Sequence, residues 1–595
     1  MHPTNYYGEG VEVPQPNHFS EEGYSPGAVS ILSSNMLGKS DFITGAFSSE
    51  YGNAISGVFD IGLRNGNSDK KEYSFSAGVL GLDFSMEGPL FKTKKSSFIL
   101  NYRYSSLGLL NKAINISEGS IPKYQDLSFK INHQINKKTN LSIWGIGGIS
   151  NETEEEEIFN GFADSEAFDS NTYMTGINLN HFINDKEKLK IGLSLSGNGS
   201  DFIYKEHEIG KTYNYEATDT FKNRAIRLTT DYTKKVNSKS TIKVGGIASL
   251  LNYNIKSVLN TIGNKTTTVN ENGNGNMLQA FAQNNYRFND QFTGSFGVHA
   301  TYFSINNQTT IEPRVGVQWR LKPKHSLSFG FGIHSRKMPI NQYFVQVTNN
   351  NNDVETPNTS LDLMRSAHYI LSYDWRIFNN GRLKIETYYQ KMNKIAVVKD
   401  TFNTNSYING SFLNAELTDS GIGENFGAEI TFEKFFSNQY YFLATSSLFN
   451  SKYKASNGKW YDSKFNYNYT FNLVGGKEFT VGKNKNNILS VNGKTLLNGG
   501  KLDTPINRDV FNQTGTIIEN QNLRNTNRLK KYFRVDLSLN YILNKKKTSH
   551  SFSLDIQNIT NVKNIYNSYF NSNSGEYEMN YQLGLVPILK YQINF

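Results

Sequence analysis

Acidic side chains come nearest, in this chain, to a pattern that could bind a metal ion. Glu154–Glu157 are four consecutive carboxylates, and three more acids follow closely at Asp164, Glu166 and Asp169. Carboxylate oxygens are the ligands that Ca²⁺ prefers, but a calcium loop also needs D-x-D-x-D-G spacing, which is lacking here. We therefore interpret the stretch as a solvated loop and not as a metal site.

Three further patterns fall short of a catalytic or binding site. In Glu206-His207-Glu208 a strand would place the two carboxylates on one face and the imidazole on the other, so they cannot converge on a metal. The run Asn272–Asn276 lacks the Lys-Ser/Thr of a phosphate-binding loop, and we interpret it as an ordinary loop. The ten His are scattered, with no G-x-S-x-G or H-E-x-x-H sequence. The sequence therefore predicts no enzyme activity, no metal and no cofactor.

The composition excludes several classes of protein. The chain has no Cys, which excludes disulfide frameworks, thiolate metal sites and Cys nucleophiles. The mean hydropathy is −0.53, and no apolar run approaches the roughly 20 residues of a membrane-spanning helix. Aromatic residues make up 13% of the chain. That share argues against intrinsic disorder, because disordered chains are poor in aromatic residues.

The positive net charge does not by itself identify a partner. There are 62 Lys and Arg against 52 Asp and Glu, so the formal charge is 62 − 52 = +10. The lysines are dispersed in short clusters such as Lys92–Lys95, Lys137–Lys138 and Lys545–Lys547, each between strand patterns. We interpret them as solvated turns and predict no nucleic-acid partner. A basic patch that faces an acidic partner is the alternative.

From about Asp69 onward the chain alternates apolar and polar residues with period 2, which predicts β-strands. In Phe533–Tyr541 every odd-numbered residue is apolar or aromatic, and the even-numbered residues are Arg534, Asp536, Ser538 and Asn540. A strand with this pattern has one apolar face and one charged face. The alternation recurs in Leu189–Leu195, Leu383–Tyr389, Phe426–Phe432 and Phe552–Ile556.

A lipid bilayer accounts for the apolar faces better than a second packed sheet does. The strands reach the roughly 9–11 residues that a tilted strand needs to cross a membrane. Aromatic pairs such as Tyr102 and Tyr104 lie at strand ends, as in the aromatic girdles of outer-membrane barrels. No repeat of about 40–50 residues marks propeller blades. The chain ends in Leu589–Phe595, an amphipathic strand that closes on a terminal aromatic residue.

The length then predicts the size of the barrel. In a bilayer every backbone N–H and C=O must be paired, so a β-protein has to close on itself. Residues 70–595 are 526 residues, and at roughly 24 residues per strand and connection they make about 22 antiparallel strands. A lumen of that size is too wide to be filled by the barrel's own side chains. Another segment must occlude it.

Phe47–Val58 has the residues that identify such a segment. It reads F-S-S-E-Y-G-N-A-I-S-G-V, with a short strand predicted at Val58–Leu63, and Gly52 and Gly57 would permit positive φ or close backbone approach. It resembles the end of the plug domain in TonB-dependent outer-membrane receptors, F-x-A-E-Y-G-x-A-x-S-G-V. The resemblance implies the C-terminal part of a plug at residues 1–68 and a transmembrane barrel at residues 69–595. The motif residues to which it gives a structural or gating role are Phe47, Glu50, Tyr51, Gly52, Gly57 and Arg64.

Further stretches are similar to one sub-group, the receptors whose plug is preceded by a carboxypeptidase-regulatory-like domain. Such receptors carry a signal peptide, that domain, a TonB box and the first half of the plug before this point. We therefore expect an N-terminally truncated receptor, which is a fragment or a truncated gene product, or whose missing part another chain supplies. The stretches are Ile311–Val315, Glu386–Gln390, Asn425–Glu429, Ser446–Tyr453, Arg534–Leu537 and Leu554–Asn561.

The resemblance implies import across the outer membrane of a Gram-negative cell. The ligand would be scarce or bulky, with a siderophore, cobalamin, a peptide and an oligosaccharide all open. TonB would act through an N-terminal segment absent from this chain. The other implied partners are outer-membrane lipid and lipopolysaccharide, the barrel-assembly machinery, for which Phe595 is the signal, and a surface lipoprotein, which stays open. The alternatives are a passive channel and a surface binding or adhesion barrel without energised transport.

Charged residues on the polar faces of strands are the remaining candidates for function. On the lipid side each would cost about 2–4 kcal/mol near the midplane, so we predict that they face the lumen. There they would contact the plug, which we favour, or line the ligand path. Ligand capture would fall to five long segments, Ser150–Asn171, Tyr204–Phe221, Asn254–Asn276, Asn341–Asn358 and Asp400–Gly421. The predicted lumen-facing residues are Arg227, Glu312, Arg314, Glu386, Glu429, Arg534 and Asp536.

Overall fold

The structure is a computed structural model that describes most of the chain. The described residues are 5–20, 29–91, 95–106, 122–159, 162–208, 215–261, 264–410, 412–572 and 574–595, and the side chains of residues 155–162 and 208 lie outside the description. Part of the predicted turn Lys92–Lys95 and of the acidic stretch Glu154–Glu157 therefore falls outside it.

The N-terminal domain is a small four-stranded sheet in the order β2-β1-β4-β3. Strand β1 pairs in parallel with β4, and the other pairings are antiparallel. Its apolar residues Val11, Ile31 and Met36 pack against Ile99 and Trp144 of the surrounding wall, so the domain shares its core with the wall. The strand predicted at Val58–Leu63 is confirmed as β4. The strands are β1 Asn5–Gly8, β2 Val11–Val13, β3 Leu37–Ile43 and β4 Val58–Leu63.

Thirteen consecutive strands follow the N-terminal domain. They are β5 Glu72–Gly78, β6 Leu82–Pro89, β7 Ser96–Tyr104, β8 Lys123–Asn136, β9 Thr139–Phe159, β10 Phe162–Asn184, β11 Glu187–Glu208, β12 Tyr215–Lys235, β13 Ser240–Thr261, β14 Asn264–Arg287, β15 Phe292–Phe303, β16 Gln308–Lys322 and β17 His325–Arg336.

The second half of the chain carries more structure in its connections. The elements are α1 Ile340–Tyr343, β18 Val347–Thr348, β19 Val354–Glu355, β20 Met364–Phe378, β21 Gly381–Val398, β22 Leu417–Ser437, β23 Tyr440–Lys454, β24 Trp460–Asp462, β25 Tyr469–Val481, β26 Asn487–Asn498, β27 Leu502–Asp503, α2 Arg508–Thr514, β28 Asn527–Arg528, β29 Tyr532–Asn544, β30 Ser549–Gln557, β31 Ile565–Asn571, β32 Glu576–Tyr581 and β33 Val586–Asn594. Single 3₁₀ turns lie at Pro357–Ser360, Tyr407–Asn409 and Gln521–Leu523. No helix in the described ranges has the length and apolar character of a membrane span.

The long strands form one closed antiparallel barrel. Each pairs with the next along the chain, and β33 closes the ring on β5, with Ile593 opposite Phe75. The described ring contains β5–β17, β20–β23, β25, β26, β29, β30 and β33. These are 22 strands, because β23 pairs directly with β25 and the short β24 only extends the edge. The predicted fold class and strand number are confirmed.

The strand register sorts side chains between lipid and lumen. Val491, Leu539, Leu554 and Leu589 lie side by side across β26, β29, β30 and β33, and Leu589 is 61% exposed on the outer face. The neighbouring positions on the other face are polar, as at Ser538. Such an apolar outer belt, buried against no protein, is the surface that a bilayer covers. The apolar-out, polar-in alternation that the sequence predicted is thus confirmed.

Short turns mark one end of the barrel and long strand extensions mark the other. Strands β9–β14 are 21 to 24 residues long, about twice what a membrane crossing needs. The acidic stretch and Asn272–Asn276 therefore lie within hairpin strands, and their interpretation as loops was wrong. The partner strands extend equally far, so ladder hydrogen bonds override the weak strand propensity of Asn and Gly. By the usual asymmetry of these barrels, the extended end is extracellular.

Candidate functional site

The motif segment Phe47–Val58 lies inside the barrel, between β3 and β4. Gly52 is required there, because a Cβ at this position would collide with the side chains of Gln279 and His299 on the wall. A Cβ on Gly57 would lie 3.1 Å from a backbone carbonyl of β3. Neither glycine has a positive φ. Of the two uses that the sequence allowed, close backbone approach is therefore the one observed.

Two tyrosines hold the motif segment to its own domain. The Tyr7 hydroxyl donates to the carbonyl oxygen of Gly52 and accepts from its N–H, both at 3.0 Å. The Tyr51 hydroxyl donates to Asp60 Oδ2 at 2.8 Å. Burial raises the pKa of both phenols, and the neighbouring Asp60 carboxylate raises the pKa of Tyr51 further. Both hydroxyls thus keep the protons with which they donate.

Arg314 of β16 is the central contact between the wall and the motif segment. Its Nη1 donates to the carbonyl oxygens of Ser48 and Tyr51, both at 2.6 Å, and its Nη2 donates to Glu312 Oε2 at 2.6 Å. Glu312 also accepts a hydrogen bond from Ser335. The Arg314 and Glu312 side chains are only 4% and 0% exposed. A buried pair of this kind is strongly destabilised when one partner is removed, because the other charge is left uncompensated.

Two histidines on the wall strands β15 and β20 bond the backbone of the domain on either side of Arg314. His299 Nδ1 lies 2.7 Å from the Ser49 carbonyl oxygen. His368 Nε2 lies 3.0 Å from the Ile55 carbonyl oxygen, and its Nδ1 accepts from the Ala46 N–H at 3.3 Å. Since a carbonyl oxygen only accepts, His368 carries its proton on Nε2 and is neutral. Neutral His368 therefore bonds one backbone group just before the motif segment and another near its end.

A third buried histidine, His334, contributes packing without hydrogen bonds. Its ring lies 4.0 Å from the Phe47 ring and 4.5 Å from the His368 ring, measured between centroids. In the described part of the chain neither of its ring nitrogens has a hydrogen-bond partner. Sequence reasoning missed all three histidines, because they are far apart in the chain. The only available signal was their place on the polar faces of separate strands.

We expect His368 and His334 to respond differently to the same substitution by leucine. His368→Leu leaves the Ile55 carbonyl and the Ala46 N–H buried and unpaired, so we expect a loss of about 1–3 kcal/mol in the free energy of unfolding. His334→Leu removes two unpaired nitrogens and keeps an apolar contact with Phe47, so we expect less than about 1 kcal/mol of loss, or a gain. Urea titration of the detergent-solubilised protein, followed by tryptophan fluorescence, measures both. Equal losses would contradict the assigned contacts.

Ion pairs fasten the domain at further places along the wall, among them Lys130 of β8 with Glu9 at 3.0 Å. Glu50 pairs with Lys243 of β13, which also bonds Asp231 at 2.8 Å. Arg64 forms a two-pronged pair with Glu87 of β6, at 2.9 and 2.7 Å. The structure thus brings the predicted motif residues Glu50 and Arg64 against charged wall residues. The wall strands that bond the domain range from β6 to β20, through Glu87, Asp126, Lys130, Asn178, Lys190, Lys243, Gln283, His299, Arg314 and His368.

This geometry holds a polypeptide segment inside a lumen. No group of three or more His, Asp or Glu that could hold a metal ion occurs among the described residues. The family model described as "TonB dependent receptor-like, beta-barrel" matches residues 123–562, well over half of the chain. The chain belongs to the TonB-dependent receptor family.

Solved structures share the receptor's fold at low sequence identity. The siderophore receptor PiuA from Acinetobacter baumannii superposes with a TM-score of 0.71 at 10% identity, over 99% of this chain and 89% of that one. The ferripyoverdine receptor of Pseudomonas aeruginosa gives 0.74 at 14%, over 100% and 80%. FyuA, the ferric yersiniabactin uptake receptor of Yersinia pestis, gives 0.70 at 10%, over 100% and 89%. No curated protein matches the receptor by sequence. A closed barrel of this family lies in the outer membrane.

Three of the predicted lumen residues lie away from the central contact. Arg227 of β12 is 8% exposed and donates to Ser196 Oγ at 2.7 Å. Glu386 and Glu429 lie opposite one another on β21 and β22. Strands β21 and β22 lie outside the described part of the wall that bonds the N-terminal domain, whereas β12 lies within it. Their roles in the receptor stay predictions.

The last predicted residues lie near the end of the receptor chain. Arg534 and Asp536 of β29 pair with each other at 2.6 Å, and Asp536 also accepts from the Asn558 N–H at 2.8 Å. Phe595 exchanges backbone hydrogen bonds with Tyr73 at 2.8 and 2.9 Å, and their rings stack. Phe595 thus pairs with Tyr73 of β5, at the seam where the barrel closes. Its role as an assembly signal stays a prediction.

Proposed function

We propose that the receptor imports a scarce or bulky ligand across the outer membrane by TonB-driven displacement of its N-terminal domain. In this proposal residues 1–68 form the C-terminal part of a plug and residues 69–595 form the barrel. The observation that carries it is the motif segment bound inside the lumen by Arg314 and the wall histidines. A 22-strand lumen is too wide to be filled by its own side chains, so the domain's position in it controls passage.

The contacts explain why an energy source is needed. Arg314, Glu50 and Arg64 bond the domain through charged groups that are buried or half-buried. Hydrogen bonds to charged groups contribute about 1.5–3 kcal/mol each, so displacing the domain requires breaking several such contacts together. A pull by TonB on the polypeptide that precedes β1 supplies the mechanical work that breaks these contacts. Ligand on the extracellular side would signal when to pull.

The sheet of the N-terminal domain passes such a pull to the motif segment. Strand β1 pairs in parallel with β4, from Asn5 opposite Val58 to Gly8 opposite Ile61. A force on the start of β1, resisted by the link from β4 to the barrel, loads all of these backbone hydrogen bonds together. The sheet then moves as a unit, and the side-chain contacts between Arg314 and the motif segment yield first.

A siderophore is the ligand class that the similar structures favour. All three are described as receptors for siderophores or for their ferric complexes. Cobalamin, a peptide and an oligosaccharide remain the alternatives. A passive channel is a second candidate, favoured by a lumen cavity of about 620 Å³ between Val29–Ser34 and the far wall.

Uptake measurements separate these functions. We expect cells that express the receptor to take up radiolabelled ferric siderophores only when TonB is present, while surface binding persists without TonB. In planar bilayers the purified receptor should show little conductance, because the N-terminal domain occupies the lumen. A large steady current with TonB-independent uptake would establish a passive channel instead. Binding without uptake under either condition would establish a surface binding protein.

A further inference from the structure

The extracellular mouth of the barrel contains a cavity that the N-terminal domain does not line. Its volume is about 690 Å³, within the range of ligand pockets. It lies between the wall strand β12 and the connections that follow β24, β26 and β28. We call it the vestibule pocket, and define it by Lys464, Lys501, Lys530, Tyr467, Tyr532 and Tyr566.

The charge of the vestibule pocket is net positive. Three lysines line it against one carboxylate, Asp219. Within the described ranges no ion pair joins Lys464, Lys501 or Lys530 to an acid. Among the described residues, the hydrogen bond found for Lys501 Nζ is the one that it donates to the Tyr566 carbonyl oxygen, at 3.4 Å. Burial, and then the neighbouring Lys464, lower the pKa of Lys501, while the Asp503 carboxylate acts in the opposite direction. Grouped cations that outnumber the nearby carboxylates favour an anion in the space they share.

The remaining walls define the shape of that anion. Tyr467, Tyr532 and Tyr566 present aromatic rings, and Phe412 adds an apolar surface that is 37% exposed. Flat aromatic faces pack against flat ligand groups, and hydroxyl and amide groups at the rim orient them. The lining thus combines ammonium groups for negative charge with rings for an aromatic skeleton.

The vestibule pocket leads towards the N-terminal domain along two strands. On β26, Asn498 lines the vestibule pocket and Lys494 lines the deeper lumen cavity beside Val29–Ser34. On β29, Tyr532 lines the upper cavity and Asp536 the lower one. Arg534 lies between these last two residues on the same face of β29, at the junction of the two cavities.

We propose that the vestibule pocket binds a multiply charged anion with an aromatic skeleton, and that its lysines select the ligand before it descends along β26 and β29. The binding step stands without the proposed transport function, whereas the descent rests on it. The three lysines come from three separate connections, so the site exists only when the loops are folded over the mouth. Each lysine acts as a binding residue through its ammonium group.

The test uses pyranine, a pyrene trisulfonate, as a fluorescent probe on the detergent-solubilised receptor. Replacing Lys464, Lys501 and Lys530 together by Gln is expected to weaken pyranine binding about a hundredfold, or about fivefold for each partly screened charge. High salt should weaken binding to the unsubstituted receptor and leave the triple variant almost unchanged. Lys459→Gln, an exposed lysine near Lys464 outside the pocket, is the matched control and should bind as the unsubstituted receptor does.

Two outcomes would overturn the proposal. One is pyranine affinity that is equal in the triple variant and the unsubstituted receptor. The other is displacement of pyranine by neutral maltotriose as effectively as by the trianionic citrate. An unchanged urea midpoint shows that the triple variant is folded. Because binding is measured without TonB, loss of uptake with intact pyranine binding would contradict the transport function alone, and the reverse result would contradict the pocket alone.

Discussion

Arg314→Ala is expected to lower the free energy of unfolding of the receptor by about 3–5 kcal/mol, the cost of breaking a buried ion pair. The substitution leaves Glu312 buried without its partner and removes the donor to the Ser48 and Tyr51 carbonyl oxygens. The motif segment loses its central contact with the wall. Urea titration in detergent measures the loss, and planar-bilayer recordings should show higher conductance, because the N-terminal domain is less firmly held.

A second arginine provides the control. Arg382 of β21 pairs with Asp374 at 2.5 Å, but its side chain is 38% exposed. Exposed pairs contribute about 0–1 kcal/mol, so Arg382→Ala should change the urea midpoint little and the conductance not at all. In Arg314→Ala combined with Glu312→Gln, the second change should restore part of the loss by removing the unpaired charge. Equal effects of Arg314→Ala and Arg382→Ala would show that Arg314 does not hold the domain.

Leu539→Arg is expected to cost about 2–4 kcal/mol, because it places a charge on the lipid-facing side near the bilayer midplane. Leu539 lies in the outer row between Val491 and Leu554. Its neighbour Ser538 points to the lumen and lines the deeper cavity. Ser538→Arg should therefore cost less than about 1 kcal/mol. Urea titration of receptor refolded into lipid vesicles measures the difference between two arginines one position apart.

This pair of variants tests the environment of the barrel directly. If the outer face met water, Leu539→Arg would be tolerated as well as Ser538→Arg. Equal urea midpoints for the two variants, or a receptor that stays folded and monodisperse without detergent, would contradict the membrane assignment. Heat-dependent mobility on gels provides an independent measure of the folded fraction.

Different parts of the receptor hold the N-terminal domain and form the vestibule pocket. Arg314, His299 and His368 hold the motif segment from the wall strands β15, β16 and β20. The vestibule pocket is built from connections near the end of the chain and does not touch the domain. Ligand signals in this receptor would then travel through the lumen cavity beside Val29–Ser34. Substitutions in the two places should affect retention of the domain and ligand affinity separately.

The sequence by itself determined the barrel, its approximate strand number and its two faces. A period of two is a local property, and a bilayer that supplies no hydrogen bonds requires the sheet to close. The motif Phe47–Val58 could also be recognised from the sequence, because its glycines and the short strand that follows lie close together in the chain. The predicted positions of Arg314 and Glu312 on the polar face of a strand followed from the same alternation.

Only the tertiary structure decided what those lumen residues touch. Strand register and barrel closure bring His299, His334 and His368 together from separate strands, and no local pattern encodes that convergence. The hairpins β9–β14 extend past the membrane because paired strands support one another, against the propensity of their Asn and Gly residues. Lys464, Lys501 and Lys530 meet only because three connections fold over one mouth. Alternation specifies which side of the wall a residue faces, whereas its partners depend on contacts between residues distant in the chain.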